Sequence, residues 1–168
     1  MPKERVAIYP GSFDPPTLGH LDLIIRASRL FDRVVVGVAR NIGKAAMFSE
    51  DERVTMLREM ACGQPNVEIA SFQTLTVEFA NAQGACAIIR GLRVLSDFEY
   101  ELTLAVNNHK LKPDIDTVAL MPSEPYVFLS STMVKEIAAF GGDFSTMVTP
   151  EVARRVKARV DERKQGRD

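Results

Sequence analysis

Tyr9-Pro10-Gly11-Ser12-Phe13-Asp14-Pro15-Pro16-Thr17-Leu18-Gly19-His20 is the stretch on which the fold of this chain turns. The residues just before it, Val6-Ala7-Ile8-Tyr9, make a short apolar run of strand type. Gly11 lets the backbone come close to a ligand, and Pro15-Pro16 set a turn. Thr17 is placed to cap a helix whose apolar residues, Leu21, Ile24, Ile25 and Phe31, fall on one face. At such a strand–turn–helix junction the first N–H groups of the helix have no partners, so the spot attracts anions. His20 then lies in the first helical turn, where the helix end disfavours added positive charge and keeps an imidazole poised rather than permanently charged. A plain turn with a solvated histidine would need only Gly11. Serine, histidine and a helix start meeting at one point favour an anion site.

The same alternation continues along the chain. Apolar runs recur at Val6–Tyr9, Val34–Ala39, Val67–Ala70, Cys86–Ile89 and Thr117–Leu120, each nearly continuous, as for strands buried on both faces of a parallel sheet. Helical patterns lie between them. Ser49-Glu50-Asp51-Glu52 reads as a capping box for a helix that turns Val54, Leu57 and Ala61 inward and closes at Gly63 and Pro65. Thr74 or Thr76 starts the next helix, which Gly84 ends. Ser96-Asp97-Phe98-Glu99 is a second capping box, for a helix expected to bury Phe98, Leu102, Ala105 and Val106. Ser130 or Ser131 caps a helix stopped by Gly141-Gly142, and Thr149-Pro150-Glu151 opens a last helix that ends in a polar tail. Residues 1–168 therefore predict one α/β domain: a doubly wound, Rossmann-like, five-stranded parallel sheet with helices on both faces and a C-terminal helix.

Composition limits the function classes. A formal net charge of −1 gives no global footprint for nucleic acid or an anionic membrane, and no apolar stretch is long enough to span a bilayer. The start, Met-Pro-Lys-Glu-Arg, lacks the pattern of a signal peptide. Cys62 and Cys86 have neither CxxC nor zinc spacing, so both are expected as small core residues in a reducing, cytoplasmic setting.

In a doubly wound sheet ligands sit outside the C-terminal ends of the strands. Five segments should therefore converge there: Gly11–His20, Asn41-Ile42-Gly43-Lys44, Ser71–Thr76, Arg90-Gly91-Leu92-Arg93 and Pro122–Thr132. Two guanidinium forks around a glycine suit phosphate oxygens, although the same arginines could instead pair with Asp97, Glu99 or Glu101. Ser130-Ser131-Thr132 offers hydroxyls and free N–H groups, or simply a cap. Lys44, taken alone, could be merely solvated. A polyphosphate substrate would explain all of these together. No Gly-x-Gly-x-x-Gly follows the first strand, and Gly43-Lys44 is followed by Ala45, which disfavours a dinucleotide dehydrogenase and a Walker-type ATPase.

Thr17-Leu18-Gly19-His20 resembles the His/Thr-x-Gly-His signature of the nucleotidyltransferase superfamily, and Tyr-Pro-Gly-Ser-Phe-Asp-Pro resembles the bacterial phosphopantetheine adenylyltransferases within it. Ile89–Arg93, followed by Asp97-Phe98-Glu99-Tyr100-Glu101, is similar to that same family, and Leu129–Glu136 to the Ile-Ser-Ser-Ser/Thr motif of the superfamily. The resemblance implies adenylyl transfer from ATP to 4′-phosphopantetheine, with Ser12 and His20 at the reacting phosphates. It also implies an ATP site at Ser12, Phe13, His20, Gly91, Leu92, Arg93, Glu101, Tyr126, Val127, Phe128, Leu129, Ser130, Ser131 and Thr132. Phosphopantetheine falls to Ser12, Lys44, Thr76 and Arg90. Mg²⁺, a homo-hexamer and feedback inhibition by coenzyme A are implied as well. One departure is visible: Asn41–Ala46 replaces a loop that commonly carries a proline and paired lysines, so a second cation is missing beside Lys44. Two alternatives stay open, a related nucleotidyltransferase with another phosphorylated acceptor and a non-catalytic nucleotide-binding module.

Overall fold

Each apolar run becomes a strand of one parallel sheet. The structure, a computed structural model, describes residues 4–40, 46–93 and 95–165, without the side chains of 95–97. The strands are β1 (Val6–Gly11), β2 (Arg33–Ala39), β3 (Val67–Phe72), β4 (Ala87–Gly91) and β5 (Asp116–Leu120), in the order β3-β2-β1-β4-β5. Between and after them run α1 (Leu18–Leu30), α2 (Glu50–Met60), α3 (Thr76–Ala82), α4 (Leu95–Leu111), α5 (Ser131–Ala139) and α6 (Pro150–Gln165). β1 pairs with β2 from Val6 opposite Arg33 to Gly11 opposite Val38, and with β4 at Ala7–Ala87 and Ile8–Ile88.

Strand alternation divides the core. Ala7 and Tyr9 of β1 join Val34, Val36 and Val38 of β2 against Leu23, Ile24 and Ala27 of α1 and Leu57 of α2. Val6, Ile8, Val35 and Ile88 point the other way, onto Val77, Phe79 and Ala80 of α3. Helices thus cover both faces, as the doubly wound reading requires. A third cluster joins Met56 of α2 to Val134 and Ala138 of α5 and to Val152, Val156 and Val160 of α6.

Local signals decide most helix ends. The box at α2 is present: Glu52 N–H donates to Ser49 Oγ at 3.3 Å, and Ser49 N–H donates to Glu52 Oε2 at 2.7 Å. Ser130, not Ser131, caps α5, accepting from Met133 N–H at 3.1 Å. Gly141 follows that helix with φ +77, the left-handed region that suits glycine.

Several expectations are corrected. α3 does start at Thr76, but neither threonine caps it: its N-cap is Leu75 without a side-chain bond, and Thr74 Oγ1 donates to the Leu75 carbonyl. In α1 the buried set is Leu23, Ile24 and Ala27 rather than Leu21, Ile24, Ile25 and Phe31, since the helix presents its 23/27 edge to the sheet. β3 and β5 are not buried on both faces; as the sheet's edges they pair on one side only. α4 does not bury Phe98, Leu102 or Val106, which are all exposed, and Ala105 is only half-buried. These apolar positions follow helical spacing, but α4 rests on the edge strand β5 and turns that stripe outward. Its Ser96–Glu99 box depends on side chains outside those described. Both cysteines are exposed: Cys62 follows α2, and Cys86 stands between the buried Ala85 and Ala87.

Gly37 of β2 tests how tightly the α3 face is filled. A Cβ there would come within 2.6 Å of Phe79 and 3.0 Å of Phe72, whose rings stack at 4.4 Å. Gly37→Ala should cost about 1–3 kcal/mol by overpacking and lower Tm by roughly 3–10 °C in a thermal melt. An unchanged Tm would show that the stacked pair can yield.

Candidate active site

The strand order reverses between β1 and β4, and their C-terminal ends open a cavity of about 300 Å³. Its wall is built from the turn after β1, the start of α1, the end of β4, the loop after β5 and the start of α5. The turn is compact because Gly11 has no side chain: a Cβ would stand 2.9 Å from the Phe13 ring. Phe13 adopts φ 50, an uncommon conformation for a non-glycine residue. Its buried ring meets Tyr9 and His20 edge-on, at centroid distances of 5.4 and 5.0 Å. Gly91 lets β4 pass equally close to α1, since a Cβ there would lie 2.7 Å from Leu23.

His20 is part of the cap itself. Thr17 N–H donates to His20 Nδ1 at 3.0 Å, while His20 N–H donates to Thr17 Oγ1 at 3.4 Å. This is a capping box with histidine where glutamate or glutamine usually stands. An Nδ1 that accepts from a backbone N–H carries no proton, so the ring proton of neutral His20 sits on Nε2. Loss of solvation, then the nearby Arg93 charge, pushes the His20 pKa down from 6.5 to about 4. The site therefore offers a neutral Nε2–H donor on a fixed ring.

Arg90 is held in place. Its Nε and Nη2 donate to the two Glu101 oxygens at 2.6 and 2.7 Å, and Nη1 donates to the Pro10 carbonyl at 3.3 Å. Burial works against the guanidinium charge, yet the bonds and charge of Glu101 outweigh it and raise the Arg90 pKa. Arg93 donates through Nη1 to the Leu129 carbonyl at 3.1 Å. Ser131 Oγ donates to the Pro15 carbonyl at 2.7 Å and ties α5 to the turn. Asp22 of α1 accepts from Ser123 N–H and Oγ at 2.9 and 2.7 Å, which fixes the loop after β5.

Most of the expected residues meet here. Ser12, Phe13, His20, Arg90, Gly91, Arg93, Glu101, Tyr126, Leu129, Ser130, Ser131 and Thr132 all line the cavity. Leu92, Val127, Phe128 and Thr76 do not line it; Leu92 instead bonds by its N–H to the Leu120 carbonyl, and Phe128 is exposed. Lys44 and its loop, 41–45, lie outside the described residues. Thr17, Gly19 and Pro122 also line the cavity, within segments expected to converge there although not singled out as site residues, and Tyr9, Pro10 and Leu23 line it from outside those segments. Tyr9 was read only as part of an apolar strand and Leu23 fell outside the face assigned to α1, whereas Thr17 and Gly19 stand inside the histidine motif itself.

Comparison with known proteins agrees with this geometry. Residues 8–137 match the cytidylyltransferase-like family model, which places the chain among nucleotidyltransferase-type folds. A structure assigned as a nicotinate-nucleotide adenylyltransferase of Vibrio parahaemolyticus superposes with a TM-score of 0.66 over 90% of this chain and 91% of that one; at 21% identity it speaks for the fold. The chain is also similar to a phosphopantetheine adenylyltransferase of Thiobacillus denitrificans, 54% identical over 93% of this chain and 98% of that protein. It is 51% identical to the one from Azoarcus sp., over 96% and 99% of the two chains. The chain belongs to the phosphopantetheine adenylyltransferase family.

The His20 geometry has a pH consequence. Between the ordinary 6.5 and about 4 the unfolded chain takes up a proton that the native ring refuses, so His20 makes stability fall as pH drops through that window. Nitrogen-detected NMR of the imidazoles should report His20 as the Nε2–H tautomer with a midpoint near 4. A midpoint near 6.5, or the Nδ1–H tautomer, would contradict the cap.

Proposed function

We propose that this chain transfers the adenylyl group of ATP to 4′-phosphopantetheine, releasing pyrophosphate and dephospho-coenzyme A. The observation that carries this reading is a neutral His20, locked by Thr17 with its Nε2–H to spare, in a cavity also lined by Arg90, Arg93 and the start of α5. A phosphate oxygen of phosphopantetheine is already anionic near neutral pH, so the attack needs no strong base. That oxygen forms a bond to the α-phosphorus of ATP, while the bond from that phosphorus to the bridging oxygen breaks and the electron pair leaves with pyrophosphate. The protein's task is to hold the two anions in line and to stabilise charge on the phosphoryl oxygens. His20 Nε2–H, Ser12 and the N–H groups opening α5 are the donors assigned to that charge. A neutral donor suits this work because it need not exchange a proton during transfer.

The remaining assignments follow the family pattern. ATP would take Gly91, Leu92, Arg93, Glu101 and the Tyr126–Thr132 loop, and phosphopantetheine would take Lys44, Thr76 and Arg90. Among the described residues no three His, Cys, Asp or Glu side chains gather as a metal cage. Mg²⁺ keeps several waters and binds largely through substrate phosphates, so it is proposed as an ion carried by ATP, with no step of the protein routed through it. Coenzyme A, which keeps the pantetheine arm, is proposed as a feedback inhibitor. A homo-hexamer is proposed too, supported by the outward apolar stripe of α4. No described helix is long and apolar enough to cross a membrane, and a cytoplasmic location is part of the same proposal.

A pyrophosphate-release assay with a panel of phosphorylated acceptors tests the reaction. Phosphopantetheine should be the preferred acceptor, and a preference for nicotinate mononucleotide would overturn the assignment. In that assay His20→Ala should lower kcat by roughly 10²–10³, as removal of one transition-state donor does, with little change in either KM. Lys44→Ala should raise KM for phosphopantetheine by about tenfold, the loss of one charge-assisted bond, and leave that for ATP unchanged. Light scattering at micromolar concentration checks the assembly. A stable monomer would remove the hexamer.

A further inference from the structure

Behind the cavity two charged side chains are almost fully buried, and neither belongs to the donors assigned above. Arg53 of α2 is 4% exposed and Asp14 of the turn is 6% exposed. Among the described residues Arg53 donates to main-chain carbonyls alone: Nη1 to Ser12 at 2.6 Å and to Ala39 at 3.1 Å, and Nε to Ser49 at 3.3 Å. Asp14 accepts from Met47 N–H and Phe48 N–H, both at 2.9 Å, and from Lys135 Nζ of α5 at 3.1 Å. Burying a guanidinium among carbonyls is costly, and packing alone would be served better by an apolar side chain. What arginine adds is a rigid fork of donors that can reach several segments at once.

The segments it reaches are specific. Ser12 lines the cavity, Ala39 ends β2, and Ser49 caps α2. Asp14 grips Met47 and Phe48, just before that cap. In sequence, 41–45 lies between Ala39 and Met47, so both roots of that stretch are tied to the turn that carries Ser12. The C-terminal helix holds the second root from outside: Arg159 donates through Nη1 to the Met47 carbonyl at 2.6 Å and lies over the Phe48 ring at 5.1 Å.

We infer that Arg53 and Asp14 are positioning residues, which set the turn after β1 against both roots of the segment after β2 and so align the acceptor phosphate with the phosphorus it attacks. This rests on the adenylyl-transfer reading above. Neither residue touches substrate; each acts through Ser12 or through the main chain at 39 and 47–49. Small errors in such alignment are expensive, since misplacement of about 1 Å can cost on the order of a hundredfold in rate.

The test uses Arg53→Lys, which keeps the charge but loses the fork, and Asp14→Asn, which keeps the shape but loses the charge and one acceptor. Each is assayed well below its own Tm, with the folded fraction read by circular dichroism. The expected result is a loss in kcat of tenfold or more in both, with ATP affinity by calorimetry within about threefold of the parent. A kcat within twofold of the parent, or a loss matched by equal loss of folded protein, would make these residues merely structural. Should neither variant fold, amide exchange of the parent decides: the Met47 and Phe48 N–H groups should be protected, and rapid exchange at both would overturn the inference. If the parent releases no pyrophosphate from ATP and phosphopantetheine, the functional reading fails. If the parent is active and both variants keep kcat, this inference alone fails.

Discussion

The bond from Thr17 N–H to His20 Nδ1 is the constraint on which this site depends. One of the unpaired donors at the start of α1 is satisfied by the side chain that faces the cavity, so capping the helix and setting the imidazole are the same event. The bond fixes three properties together: ring orientation, tautomer and neutrality. A glutamate in the same box would satisfy the helix equally well but would place a negative charge beside incoming phosphates. Histidine completes the cap and still has an N–H to offer. The TLGH motif can thus be understood as a capping box whose third helical residue has a second use.

Around that bond the sheet supplies position rather than chemistry. Gly11 and Gly91 end adjacent strands, and each leaves room for a ring or a side chain from the helix between them. Tyr9 and Phe13 wall the floor, with the Tyr9 hydroxyl pushed well above its ordinary range by burial. The loop after β5 is fixed from α1 through Asp22, and α5 is fixed from the turn through Ser131 and Lys135. Every wall of the cavity is therefore referred back to the β1–α1 junction.

How much of this was legible in the sequence varies by residue. The strands were readable because short continuous apolar runs bounded by turn residues have few other uses, although β1 and β4 run on two residues past those runs, to Gly11 and Gly91. The Ser49–Glu52 box was readable because both partners are local. α4 shows the limit: Phe98, Leu102 and Val106 have helical spacing, but spacing cannot tell a helix that covers its own sheet from one that turns its stripe outward. Cys86 was misplaced because it stands just before β4 rather than in it, so the apolar run that begins there does not carry its side chain into the core. Asp14 and Arg53 could not be found by pattern at all. Charged residues usually signal surface, and their burial depends on carbonyl and N–H partners up to 41 positions away.

Arg90 shows how a motif residue can be in place without being a free charge. A guanidinium has five N–H donors; here Nε and one N–H of Nη2 go to Glu101, and one N–H of Nη1 goes to Pro10. Among the described residues three of the five are spent, which leaves two, one on each terminal nitrogen. The pair with Glu101 also cancels much of the charge that a distant phosphate would feel. A phosphate reaching Arg90 therefore gains directional hydrogen bonds from a fixed fork more than long-range attraction. The ordering of the side chain is already complete before a substrate arrives, so its entropic cost does not fall on binding. Such an arrangement favours accuracy over raw affinity, and accuracy is what an in-line exchange between two phosphates requires.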